Sequence, residues 1–140
     1  MLKTIIQASE NFCIHQIRVP HSVSDGTNEK RTLIAYIDIQ TKDSSIYRVY
    51  IASDFGFMQR VAKLFLEEDE SDEETLVDMT LETANLIVGS AKVIAEELGT
   101  NPYTIGTPNY IKTDKFDLDF DDIKTIKVED DEMIIAIKEL

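Results

Sequence analysis

The stretch from Asp78 to Leu98, DMTLETANLIVGSAKVIAEEL, constrains the fold more than any other part of this chain. It reads as a long helix that is apolar nearly all the way round. Leu76, Val77, Met79, Leu81, Ala84, Leu86, Ile87, Val88, Ala91, Val93, Ile94, Ala95 and Leu98 take up most of its circumference. Such a helix must be covered on several sides, so the other elements are expected to pack around it. One narrow polar stripe interrupts the apolar surface: Asp78, Glu82, Asn85, Gly89, Lys92 and Glu96. At about 100° per residue these six fall within an arc of roughly 80°. The stripe must face solvent, a groove or a partner.

The segments around this helix define the rest of the architecture. The helix is expected to begin at Glu73 or Thr75 and to stop at Leu98, because Gly99 supplies the residue past the C-terminus and Pro102 follows. An earlier helix is expected from Asp54 to Leu66, capped by Ser53 or Asp54, with Phe57, Val61, Leu64 and Phe65 at helical spacing. Between the two, Glu67 to Glu74 (EEDESDEE) has no apolar residue and reads as a solvated linker whose acids favour the next helix N-terminus. Thr32 to Gln40 alternates, with Leu33, Ala35, Ile37 and Ile39 on one side, and Ile46 to Ile51 pairs with it as a hairpin across Asp43-Ser44. Phe12 to Val19 reads as a strand ended by Pro20, and His21 to Glu29 as a loop around Asp25-Gly26. Tyr103 to Ile105, Tyr110 to Ile111, Ile123 to Val128 and Met133 to Ile137 complete the strands, the last two joined by a turn at Glu129–Asp131. Asp114 to Asp122 is polar and acidic, broken by Phe116, Leu118 and Phe120. These patterns predict one α+β domain over residues 1–140, in which two long helices pack on one face of a largely antiparallel sheet.

Several function classes are disfavoured. A net charge of -13 opposes binding to nucleic acid or to anionic membranes and suits a partner with a basic patch. Cys13 is the only cysteine, so no intrachain disulfide can form; it is expected in the core of a protein from a reducing compartment. The N-terminal residues lack the apolar core of a signal peptide, and no window approaches the roughly 18 apolar residues of a membrane span. The expected location is the cytoplasm. There is no phosphate-binding glycine loop and no nucleophile elbow. His15, read within a strand, and His21, beside a proline, have no metal-ligand spacing to each other or to Cys13. Asp119, Asp121 and Asp122 lack the glycine and distal glutamate of a calcium loop. No metal site is expected.

The stripe itself carries chemistry. Glu82 and Asn85 are three residues apart and so are neighbours on the helix surface. Gly89 costs about 1 kcal/mol relative to alanine in a helix interior. Its missing side chain leaves room beside Asn85 for something to approach. An asparagine amide is no base at neutral pH, but it can accept a hydrogen bond from a water and fix its direction. That suits hydrolysis of an already activated bond, such as an acyl phosphate, where positioning and electrostatics supply most of the catalysis. A glutamate one turn away can anchor a cation on the partner that carries the bond.

These residues resemble the motif of the CheC/CheX/FliY family of chemotaxis phosphatases, in its CheX branch. The motif is an Asp or Ser, three residues, Glu, two residues, Asn, and a Pro a little over twenty residues later; here it is Asp78, Glu82, Asn85 and Pro108. YTIGTPNYI around Pro108 is similar to the family's strand-Thr-Pro-strand segment, Gly89 to its small residue, and Ile17 to Ser22 (IRVPHS) to an upstream segment. The resemblance implies a phosphatase for phosphorylated CheY-like response regulators. It assigns Glu82 to the regulator's active-site lysine and Asn85 to the attacking water, with Asp78 and Gly89 contacting the partner. It implies no cofactor of the chain's own, Mg²⁺ on the regulator, and a homodimer formed by sheet pairing. The first helix has no Glu-x-x-Asn, so one site is expected. The alternative within this resemblance is a non-catalytic CheX-like or flagellar-switch-like binding or dimerisation module. CheX proteins begin with a helix, for which residues 1–11 here look too short and too poorly patterned.

Overall fold

The computed structural model describes residues 2–140. The chain opens with helix α1 (Leu2–Phe12), which runs into a single π-helical stretch, Cys13–Ile17. This corrects two expectations: Leu2–Phe12 is a helix although the segment looked too short for one, and Phe12–Val19 is not a strand. Leu2, Ile5, Ala8, Ser9 and Phe12 are spaced three or four apart and buried, and the Ser9 hydroxyl donates to the Ile5 carbonyl (2.9 Å) rather than breaking the turn. The helix ends at Arg18, whose φ of 60° is left-handed and whose N–H reaches back to Cys13 O (2.7 Å). His15 therefore lies on a helix and not on a strand. His21–Asp25, expected as a loop, is strand β1, an exposed edge element with no apolar alternation to betray it.

Strands β2 (Arg31–Thr41) and β3 (Ile46–Asp54) form the expected hairpin, in register from Thr32 opposite Asp54 to Gln40 opposite Ile46. Helix α2 (Phe55–Leu66) and helix α3 (Glu73–Leu98) follow. Then come β4 (Tyr103–Ile105), β5 (Asn109–Lys115), β6 (Asp122–Val128) and β7 (Asp131–Glu139). All pairings are antiparallel, in the order β1-β6-β7-β3-β2-β4, with β5 also on β2. The fold is α+β as expected, but three helices rather than two cover the sheet.

Period-two alternation divides the sheet into two apolar faces. Leu33, Ile37, Ile39, Val49, Ile51, Met133, Ile135 and Ile137 point into the main core with the helices. Ile34, Tyr50, Ala52, Ile134 and Ala136 point the other way and are covered by Phe116 and Ile123, with Leu118 packed against them. Phe116 meets Tyr50 edge-on, with ring centroids 5.6 Å apart. The acidic Asp114–Asp122 segment is thus fastened to the outer sheet face by its interspersed apolar residues. Cys13 lies in the main core; burial pushes its thiol up to about 11, so it stays protonated.

Both capping expectations for the later helices are met. The Asp54 carboxylate accepts the Phe57 N–H (2.7 Å) at the start of α2. It also accepts Lys30 Nζ (2.9 Å) and the Glu132 N–H (2.8 Å), which ties the approach to β2, the helix start and the β6–β7 turn together. Asp72 caps α3 through the Thr75 N–H (2.8 Å), and this bond holds the Asp72 carboxyl below its ordinary range. Gly99 takes the left-handed conformation (φ 67°) past the last turn.

Candidate functional site

The rotation of α3 about its axis decides what the stripe faces. Leu76, Met79, Thr80, Thr83, Ala84, Ile87, Val88, Ala91 and Ala95 are buried against α1, α2 and the sheet. Two polar contacts fix this rotation. The Tyr103 hydroxyl, on β4, donates to the Val88 carbonyl (2.9 Å), and burial keeps that phenol protonated by raising it well above its ordinary range. The Thr83 hydroxyl lies 3.6 Å from the Met58 sulfur on α2. With Val88 and Thr83 turned inward, the stripe turns outward.

Asp78, Glu82 and Asn85 are all exposed, and Gly89 is half-buried. Among the described residues none of the three side chains is held by an intramolecular hydrogen bond or ion pair. Lys92 and Glu96, in contrast, pair with each other at 3.4 Å, so their charges are locally spent. The six-residue stripe therefore divides: two members are neutralised surface, and Asp78, Glu82 and Asn85 are free for a partner.

Gly89 is informative because nothing inside the chain requires it. A Cβ built there meets no atom within 4 Å, and its φ is not in the left-handed region. Neither a close internal approach nor a special backbone conformation explains a residue that weakens the helix.

Pro108 lies where the edge of the sheet breaks. β4 ends with Ile105 opposite Ile39, and β5 begins with Asn109 opposite Tyr36. Gly106, Thr107 and Pro108 span the gap, pinned by the Gly106 N–H to Asp38 O (2.9 Å). A Cβ on Gly106 would approach Asp38 O to 3.1 Å, so a small residue is needed for that contact.

The surroundings of the stripe differ from expectation. The helix is not covered all round: Leu86 is 38% exposed, Val93 52% and Leu98 63%. Leu64 and Phe65 of α2, part of the helical spacing that marks this helix, are also exposed. On a helical wheel Leu86 and Val93 lie about 40° and 20° beyond Glu82, just outside the polar stripe. Their apolar character argued for burial.

The site is an exposed ridge of a helix. A groove of about 580 Å³ between α1 and the start of β6, lined by Ile6, Ile14 and Lys124 among others, lies apart from the stripe. No grouping of three or more His, Cys, Asp or Glu among the described residues is placed to hold a metal ion. A ridge carrying two carboxylates and one amide cannot surround a small molecule. It can enter a cleft on another macromolecule and supply one anchor and one hydrogen-bond acceptor there.

A family model described as "Chemotaxis phosphatase CheX" matches residues 36–135, well over half of the chain. The chain belongs to the CheX family. No curated protein sequence matches it. Among solved structures, the CheX chemotaxis protein of Vibrio vulnificus superposes with a TM-score of 0.78 at 17% identity, over 98% of this chain and 97% of that one. CheX from Desulfovibrio desulfuricans gives 0.73 at 17% identity, over 99% and 97%. The CheX of Borrelia burgdorferi, solved as a CheX–CheY–BeF3–Mg²⁺ complex, gives 0.69 at 15% identity, over 99% and 97%. At these identities the likeness is one of fold, and it includes the CheX family's N-terminal region, which lies outside the family-model match. No helix among the described residues is long and apolar enough to cross a membrane.

Proposed function

We propose that this CheX-family chain is a phosphatase for the phosphoaspartate of a CheY-like response regulator, with Glu82 as anchor and Asn85 as the water-positioning residue. The observation that carries this reading is the pair itself: an exposed carboxylate and amide one turn apart, free of internal partners, beside a glycine that nothing inside the chain explains. The Borrelia relative was solved with CheY and BeF3, and we extend that type of partner to this chain.

In this reading α3 enters the regulator's active-site cleft. Glu82 pairs with the regulator's lysine and fixes the register of the helix. The Asn85 side-chain carbonyl accepts a hydrogen bond from a water and aims its lone pair at phosphorus, in line with the acyl-phosphate oxygen. The water oxygen bonds to phosphorus, the P–O bond to the aspartate breaks, and inorganic phosphate and the free carboxylate are released. The Mg²⁺ that balances phosphoryl charge belongs to the regulator. Asp78 and Gly89 meet the regulator one turn to either side. Pairing of two copies through a sheet edge, β1 or β4–β5, belongs to the same reading, as does a cytoplasmic location. The test is phosphate release from a phosphorylated CheY-type regulator with and without the chain. A saturable acceleration over the regulator's own hydrolysis is expected; no acceleration would reject the reading.

A further inference from the structure

Some of the apolar side chains left uncovered by this fold lie beside the catalytic ridge, while others, such as Val23, Ile46, Phe120 and Leu140, belong to other elements. Phe65, on the last turn of α2, and Leu86, on α3, are exposed and line one groove. Its floor is Phe12 and Ile87, and its rim carries His15 of the π-helical stretch and Ser90. The Phe65 ring stacks on Phe12 at 6.4 Å between centroids, which holds one wall in place. Val93 continues the apolar strip two turns beyond Leu86. Leu86 follows Asn85 directly in sequence, and Val93 is about 10.5 Å beyond Leu86 along the axis at 1.5 Å per residue.

From these positions we infer that the Phe65–Leu86 groove is the affinity-bearing part of the regulator interface, taking one aromatic or branched aliphatic side chain that the regulator presents beside its lysine. The inference rests on the function proposed above and extends it from chemistry to binding. Three observations fix the occupant. A specific interface buries about 800 Å² per partner, a footprint on the order of 30 Å across, so any complex centred on Asn85 covers this groove. The groove holds about 240 Å³, and a cavity of roughly 150 Å³ is enough for a benzene ring, so one large side chain fits. The ground leading to it is acidic: Glu67, Glu68, Glu70, Glu74, Asp78 and Glu82 are exposed, while among the described residues only Asp69 and Glu73 of the linker region are ion-paired, with Lys63 and Arg31. An apolar centre with an acidic flank complements an apolar side chain near a lysine, and buried aromatic and aliphatic anchors carry most interface energy.

The experiment uses the intact chain and the same organism's CheY-type regulator loaded with beryllofluoride and Mg²⁺. Kd is measured by calorimetry for the wild type, Phe65→Gln and Leu86→Gln. Thermal melts check the fold; Leu86→Gln exchanges two good helix formers at an exposed site, so it remains interpretable if Phe65→Gln loosens the contact with Phe12. Each substitution is expected to raise Kd at least tenfold and KM in parallel, with kcat within about twofold of wild type. A wild type that binds and turns over the regulator, with Kd unchanged in Leu86→Gln, overturns the inference and leaves the proposed function standing. A wild type that neither binds nor accelerates hydrolysis removes both. Conversion of a dimer to monomer by Leu86→Gln in sedimentation, with no change in regulator affinity, assigns the groove to a second copy and also overturns it.

Discussion

Replacing Gly89 with alanine separates what the chain needs for itself from what it needs for its partner. A methyl group at this position meets no atom within 4 Å, and the backbone is not left-handed. The substitution therefore carries no steric or conformational penalty inside the chain. It removes the entropic and solvation handicap of a helix-interior glycine, about 0.5–1 kcal/mol in favour of the folded state. For a chain of this size that corresponds to a rise in Tm of roughly 2–4 °C. In the proposed complex the same methyl stands one turn from Asn85, where the regulator must approach closely. Catalysis depends on sub-ångström placement of water against phosphorus, so displacement of the helix by a fraction of a methyl radius is expected to lower kcat/KM about tenfold or more. Calorimetric melting and phosphate release on the same preparation read both effects. A Gly89→Ala chain that melts higher and works as well as wild type would refute the claim that the glycine is kept for the partner. One that melts lower would refute the structural reading of the site.

Glu82→Ala is expected to weaken binding of the beryllofluoride-loaded regulator at least tenfold, about 1.4 kcal/mol, by removing one side of an intermolecular charge pair; an unchanged Kd would remove its anchoring role. Asp54→Ala removes a buried carboxylate that accepts from Phe57, Lys30 and Glu132. It should cost about 2–4 kcal/mol in urea unfolding, because a helix cap and two further donors lose their partner together. A loss under half a kcal/mol would show that water satisfies those donors.

The parts of the fold with strong periodicity were legible in the sequence. The β2–β3 hairpin was readable because Leu33, Ala35, Ile37 and Ile39 alternate without interruption, and the ends of α2 and α3 because Asp54 and Gly99 carry cap chemistry. The N-terminal helix was misread because its apolar residues, Leu2, Ile5, Ala8 and Phe12, span only three turns and because Phe12, Ile14 and Val19 mimic an alternating strand. Tertiary packing against α3, and a π-helical stretch that ends at Arg18, settle the conformation instead. β1 escaped notice because an exposed edge strand of Ser22, Val23 and Ser24 has no core face to advertise it. Glu82, Asn85 and Gly89 were visible as a stripe because polarity on an apolar helix stands out. Phe65, Leu86 and Val93 were not separable from the core, since an exposed apolar residue and a buried one look the same in one dimension.

In the proposed mechanism Asn85 acts on the reaction and not on the fold or the complex. The direct measurement is single-turnover dephosphorylation of the regulator at saturating concentrations of wild type and of Asn85→Ala, together with the Kd of each for the beryllofluoride form. In Asn85→Ala the rate is expected to fall by at least an order of magnitude, with Kd and melting temperature close to wild type. Equal rates in the two proteins would contradict it.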